Sequence, residues 1–177
     1  MKLPLAYYGD PMLRKKGVAV EVIDDEIRQL VRDMVDTMIE HNGIGLAAPQ
    51  VHRSLDIFIT AAPNKQPDGS WKPGELRVFI NTKILFVSEE KESTSEGCLS
   101  IPTLYAEVVR PVKIRIHATD LDGNEFEEEF SGLEARDILH ENDHVNGVLF
   151  VDRIQGKERK EIEPKLREIK KTYYQKK

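Results

Sequence analysis

The chain has 177 residues, 40% of them hydrophobic and 32% charged, with a formal net charge of -5; that is enough for one buried core and too little for two. No apolar run approaches the length that crosses a bilayer, the first nine residues lack the apolar stretch of a secretory signal, and a lone cysteine excludes an internal disulfide. The expectations are a single domain over residues 1–177, a cytoplasmic location, a monomer and no membrane partner.

The first strong pattern covers residues 24–41, where Ile27, Leu30, Val31, Met34, Val35, Met38 and Ile39 recur at helical spacing and predict an amphipathic helix with one face in the core. Asp24 or Asp25 caps its start, and Asn42-Gly43 ends it in a left-handed turn. Gly43-Ile44-Gly45-Leu46-Ala47-Ala48-Pro49-Gln50 follows. Its small residues either serve a turn or permit another molecule to approach the backbone. The G-x-x-x-x-G-K-[ST] spacing of a phosphate loop is absent.

β-branched and aromatic residues predict strands at residues 55–60, 76–81, 83–88, 106–109, 112–118 and 125–130, the last two joined as a hairpin at Asp122-Gly123. Residues 61–74 read as a loop with Trp71 as its anchor, and the polar residues 89–95 read as an exposed segment. Gly97 gives room to Cys98, which as a lone cysteine is ordinarily a small buried hydrophobe. Short connections favour an α+β fold with antiparallel or mixed sheets over repeated βαβ units.

A second helix is predicted over residues 132–146, with Ser131-x-x-Glu134 as a capping box and Asn146-Gly147 as the stop. It carries His140-Glu141-Asn142-Asp143-His144. Histidines four apart share a helix face and can chelate one divalent ion, with Glu141 able to reach a water on it. A last helix over residues 158–174 docks through Ile162, Leu166, Ile169 and Tyr173. Residues 157–177 hold nine Lys or Arg against four Glu, a net +5 that leaves the rest of the chain at -10 and suggests a partner for the tail.

Two histidines under-coordinate a metal. A third histidine at the spacing H-E-x-x-H-x-x-G-x-x-H is excluded, because Phe150 occupies its place. A downstream Glu, either Glu163 or Glu168, and the upstream thiol of Cys98 both remain open as the third ligand.

Taken together, Gly43 to Gln50, Glu96-Gly97-Cys98-Leu99-Ser100 and His140 to His144 resemble, in order and spacing, the three motifs of the peptide deformylases, and the hydrophilic C-terminal helix resembles the bacterial type-1 subgroup. The sequence departs from the family at Leu139, where Gln is usual, and at Asn142, where an apolar residue is usual. The resemblance implies sheets packed around a central metal-binding helix, with Cys98, His140 and His144 holding one divalent ion. Iron(II) is the implied native choice, and zinc, nickel and cobalt also suit the ligands. It further implies that the ion activates a water to attack the formyl carbon of an N-formylmethionyl peptide, and that Glu141 carries the proton to the leaving amine. The Gln50 amide and the Leu99 N–H would stabilise the oxyanion. Ile44 and Gly45 would bind the peptide backbone in strand fashion, while Ile44, Leu133, Arg136 and Asp137 would border the methionine pocket.

Asp143 would support the metal helix by pairing with Arg110. His41, His52 and His117 have no motif context and read as structural or exposed. The basic helix either docks on ribosomal RNA or closes the fold. The alternatives to a deformylase are an H-E-x-x-H metalloendoprotease and an inactive homologue that binds ribosomes or formyl peptides.

Overall fold

The computed structural model describes residues 1–174, so residues 175–177, the end of the basic tail, lie outside the described residues. The first helix, α1, runs from Asp25 to Glu40, and the Asp24 carboxylate caps it by accepting from the Ile27 N–H. Asn42, at φ 55°, supplies the left-handed exit. Val31, Met34 and Met38 are buried. Ile39 departs from the predicted stripe and is 64% exposed, since the helical period carries it about 120° around from Ile27.

Five strands form an antiparallel sheet in the order β1 (Gly45–Ala47), β2 (Ile57–Thr60), β5 (Arg77–Val87), β8 (Lys113–Thr119) and β9 (Glu125–Ser131). β3 (Asn64–Lys65) pairs with β4 (Trp71–Lys72), and β6 (Lys91–Cys98) pairs with β7 (Ile101–Pro111). Side chains of the large sheet alternate between two cores, as strand geometry requires. Leu46, Ile57, Ile59 and Ile80 pack with α1. Ala47, Phe58, Phe79, Ile114, Ile116 and Phe130 pack with the second helix, α2 (Gly132–Val145). A third core joins β7 and the turn Phe150–Arg153 to Leu166 and Ile169 of α3 (Gly156–Tyr173).

Two local predictions are corrected. The separate strands expected at 76–81 and 83–88 are one strand, β5, interrupted by a bulge at Asn81. Asn81 has φ 55°, and its side chain donates to the Val20 carbonyl and accepts from the Val20 N–H, both at 2.8 Å. Those bonds tie the bulge to residue 20, while the Asn81 backbone N–H donates to the Asp56 carbonyl at 3.0 Å. The polar segment 89–95 is exposed as expected, and residues 91–95 of it form the first part of β6, whose Glu96 to Cys98 end turns inward. Trp71 anchors nothing: it sits opposite Lys65 in the short β3–β4 pair and is 55% exposed.

Candidate metal centre and active site

β9 passes into α2 without a loop. Ser131 is still paired with Lys113 of β8, and Gly132 turns the chain at φ +62°, a left-handed conformation that favours glycine. Ser131 takes the expected N-cap position, but the hydrogen bonds of the capping box are absent, since its side chain caps nothing. α2 then lays Ala135, Ile138 and Val145 against the sheet. Arg136, Asp137, His140, Glu141, Asp143 and His144 are nonetheless buried too. A helix that buries this many charged and ligating side chains needs partners for each of them.

Cys98, at the end of β6, provides the upstream half of the site. Its Sγ lies 3.3 Å from His144 Nε2, and one ligand atom from each of Cys98, His140 and His144 falls within 4.8 Å of the others. Neither downstream glutamate joins this group. Glu163 is held by Arg159 at 2.7 Å, and Glu168 is an exposed residue of α3.

His140 is aimed from behind. Its Nδ1 lies 2.9 Å from Glu96 Oε1, which leaves Nε2 for the site side. Burial alone would raise the Glu96 carboxyl, but hydrogen bonds from His140 and Arg110 hold it down at about 2, so it stays ionised. Burial, and after it the neighbouring His140, keep His144 well below the usual histidine range, in the neutral form that ligates. Burial, and after it the Glu141 carboxylate, push the Cys98 thiol up to about 12. A thiolate among these atoms therefore needs a cation to offset it. One sulfur and two imidazole nitrogens, with a carboxylate orienting one ring, fit a divalent transition metal.

Glu141 is buried close by, its Oε1 3.9 Å from His140 Nε2 and its Oε2 without a hydrogen-bond partner among the described residues. Burial first, and the Asp137 carboxylate second, push Glu141 well above the ordinary carboxylate range. Gln50 is fixed by accepting from the Ala47 N–H at 2.9 Å, and its Nε2 donates to Ser100 Oγ at 3.0 Å while lying 3.4 Å from Cys98 Sγ.

A cavity of about 630 Å³ opens over these atoms, and Ile44, Gly45, Gln50, Leu99, Leu133 and Glu141 all line it. Gly45 is small for a reason internal to the chain. A Cβ there would fall 2.4 Å from Asp137 Oδ1 and 2.9 Å from Glu141 Oε1. Gly97, likewise, makes room for the Tyr105 ring, 2.5 Å from where its Cβ would sit.

Arg136 borders the cavity, but its guanidinium is already committed to Glu96 and to the Glu92 and Val108 carbonyls. Asp143 accepts from Arg110 at 3.0 Å. His52 lies 3.6 Å from Asp10, and His117 lies 3.7 Å from Glu125, both away from the site. His41 is exposed but lines the cavity, a position that its lack of motif context did not signal. Tyr7, Tyr105 and Tyr173 also line it, with Tyr7 and Tyr173 rings 5.2 Å apart. Their separation along the chain hides the grouping.

Residues 2–160 match the family model described as polypeptide deformylase. A peptide deformylase of Psychrobacter cryohalolentis is 41% identical over 167 residues, spanning 94% of this chain and 87% of that one. Among solved structures, a plant peptide deformylase superposes with a TM-score of 0.88 at 38% identity, over 97% of this chain and 90% of the other. A Met-Ala-Ser-bound class I type b peptide deformylase of Acinetobacter baumannii gives 0.81 at 36% identity, over 87% and 99%.

Proposed function

Because the chain belongs to the polypeptide deformylase family, metal-dependent hydrolases that remove the N-formyl group from new polypeptides, we propose a specific division of labour among its residues. The activity itself is hydrolysis of the formyl amide, giving formate and a free amino terminus. Cys98, His140 and His144 hold the divalent cation, and iron(II) is the native ion we assign to this set. When bound, the cation supplies Lewis acidity toward water and the formyl oxygen.

Every other step belongs to side chains and backbone. Glu141 takes the proton released by the attacking water and hands it to the departing amine. Gln50 Nε2 and the Leu99 N–H donate to the oxygen as negative charge develops on it. Ile44 and Gly45 pair with the extended peptide through their backbones, and Leu133, with the Ile44 side chain, borders the pocket for the first residue. Arg136, engaged elsewhere, shapes that pocket only by position, whereas Asp137 adds an acidic border.

The convergence of the Cys98, His140 and His144 donor atoms within 4.8 Å is the observation that carries this reading. Its test is anaerobic metal analysis together with formate release from formyl-Met-Ala-Ser. One metal per chain and one formate per peptide are expected. A fully metallated protein that releases no formate would overturn the proposal.

The same reading includes monomeric action in the cytoplasm at the site of translation, and no helix among the described residues is long and apolar enough to cross a membrane. It also takes α3 to dock on ribosomal RNA through its exposed basic residues, among them Lys160, Arg167 and Lys171. Deleting α3 is a poor test, because Leu166 and Ile169 belong to the core. Reversing Lys160, Arg167 and Lys171 to Glu together should abolish low-salt co-sedimentation with ribosomes. Unchanged co-sedimentation would leave α3 with the closing role alone.

A further inference from the structure

Glu96, which orients His140, is the inner end of a run of alternating charges that reaches the surface. Arg110 gives Glu96 two hydrogen bonds, Nε to Oε2 at 2.6 Å and Nη2 to Oε1 at 3.0 Å, and Arg136 Nη1 adds a third at 2.6 Å. The remaining arm of Arg110, Nη1, donates to Asp143 Oδ2 at 3.0 Å. Asp143 is gripped from outside by Arg153, Nη2 to Oδ1 at 2.7 Å and Nε to Oδ2 at 3.1 Å. Side-chain exposure falls from 49% at Arg153 to 10% at Asp143 and 4% at Arg110.

Two carboxylates thus share one guanidinium, and the sharing is uneven: Glu96 receives two arms of Arg110 and Asp143 receives one. That division depends on Asp143 being satisfied from its other side. Without Arg153, Asp143 loses two of its three side-chain hydrogen bonds and Arg110 is the protein donor left on it among the described residues, so a bidentate pull from Asp143 would draw Arg110 off Glu96. The Glu96 oxygen on His140 Nδ1 would then lose its fixed direction.

From this continuous geometry we propose that Arg153 is a positioning residue for the ligand His140, acting through Asp143, Arg110 and Glu96. The inference rests on the metal-site reading above. Nothing in the sequence marks it, since Arg153 sits in a turn ten residues beyond Asp143 and belongs to none of the three motifs.

The test is zinc release from the zinc-loaded full-length chain to excess chromophoric chelator, a measurement that needs no turnover. Arg153→Ala should release zinc about tenfold faster than wild type, the low end of what losing an outer hydrogen-bond partner costs a metal site. Arg153→Lys should fall between them, because an ammonium grips one Asp143 oxygen where the guanidinium grips two. It also keeps the test usable if the alanine variant folds poorly. Arg159→Ala is the control: Arg159 donates to the Val151 carbonyl of the same turn, pairs with Glu163 and bonds no metal ligand. It should release zinc at the wild-type rate. Wild-type release from Arg153→Ala, or equal acceleration by Arg159→Ala, overturns the proposal. Failure of the deformylase reading would appear separately, as zinc-loaded wild type that gives no formate.

Discussion

Glu141→Ala should keep its metal and lose formate release by roughly 10³-fold. General acid–base groups contribute ~10²–10⁴-fold, and the proposed role puts Glu141 in the upper part of that range because one carboxyl would serve both proton transfers. It lies outside the set of three donor atoms, so metal content should not change. Its environment suits the second transfer. A carboxyl raised by burial and by Asp137 holds a proton at neutral pH more readily than an exposed one, and holding a proton is what the departing amine requires. A cation at the three donors would oppose part of that rise. Glu141→Gln separates chemistry from packing: the amide fills the same space and cannot carry the proton, so its loss should match that of alanine. Anaerobic metal analysis and a formate assay on both variants decide the matter. Loss of metal from either, or turnover within tenfold of wild type, would remove Glu141 from the role.

The helices were legible because a 3.6-residue period survives in α1 and because His140 and His144 sit one turn apart on α2. Their orientation could also be read, since Cβ directions follow from the period alone. What escaped depends on long-range geometry. The β5 bulge uses a bond between Asn81 and Val20, 61 residues apart. Ser131-x-x-Glu134 has the letters of a capping box, yet Ser131, still in register with Lys113 of β8, makes no side-chain cap bond. The missing capacity of Gly45 for a side chain looked like access for a ligand, whereas the nearest atoms are carboxyl oxygens of α2. The same holds within the site. Cys98 became a credible ligand only through the order of the three motifs, because a lone thiol has no spacing of its own. The ionic relay behind His140 joins residues 14, 33 and 44 positions apart, and no local pattern encodes it. Periodicity therefore reaches His140 and His144 on α2, the motif resemblance adds Cys98 and the Asp143–Arg110 pair, and the links through Glu96 and Arg153 escape both.

Cys98→Ala tests the ligand set most severely. An H-E-x-x-H endoprotease would take its third ligand downstream, so this substitution would be harmless there, while Glu163→Ala or Glu168→Ala would strip the metal. The opposite pattern is expected. Cys98→Ala removes the only anionic donor and leaves two neutral imidazoles, so the loss in affinity should exceed the ~10–100-fold that an outer partner is worth. The protein as purified should then hold little metal and release no measurable formate. Glu163→Ala breaks only a pair with Arg159 on α3, and Glu168 is exposed, so both variants should retain full metal and full turnover. Folding is not the confounding issue at Cys98, since exchanging a thiol for a methyl beside an apolar core removes little volume and no ion pair. A melting curve in excess chelator, where neither protein holds metal, should place Cys98→Ala close to wild type. Metal analysis by mass spectrometry on the four proteins gives the answer directly: full occupancy in Cys98→Ala would return that residue to the role of buried hydrophobe and reopen the search for a third ligand.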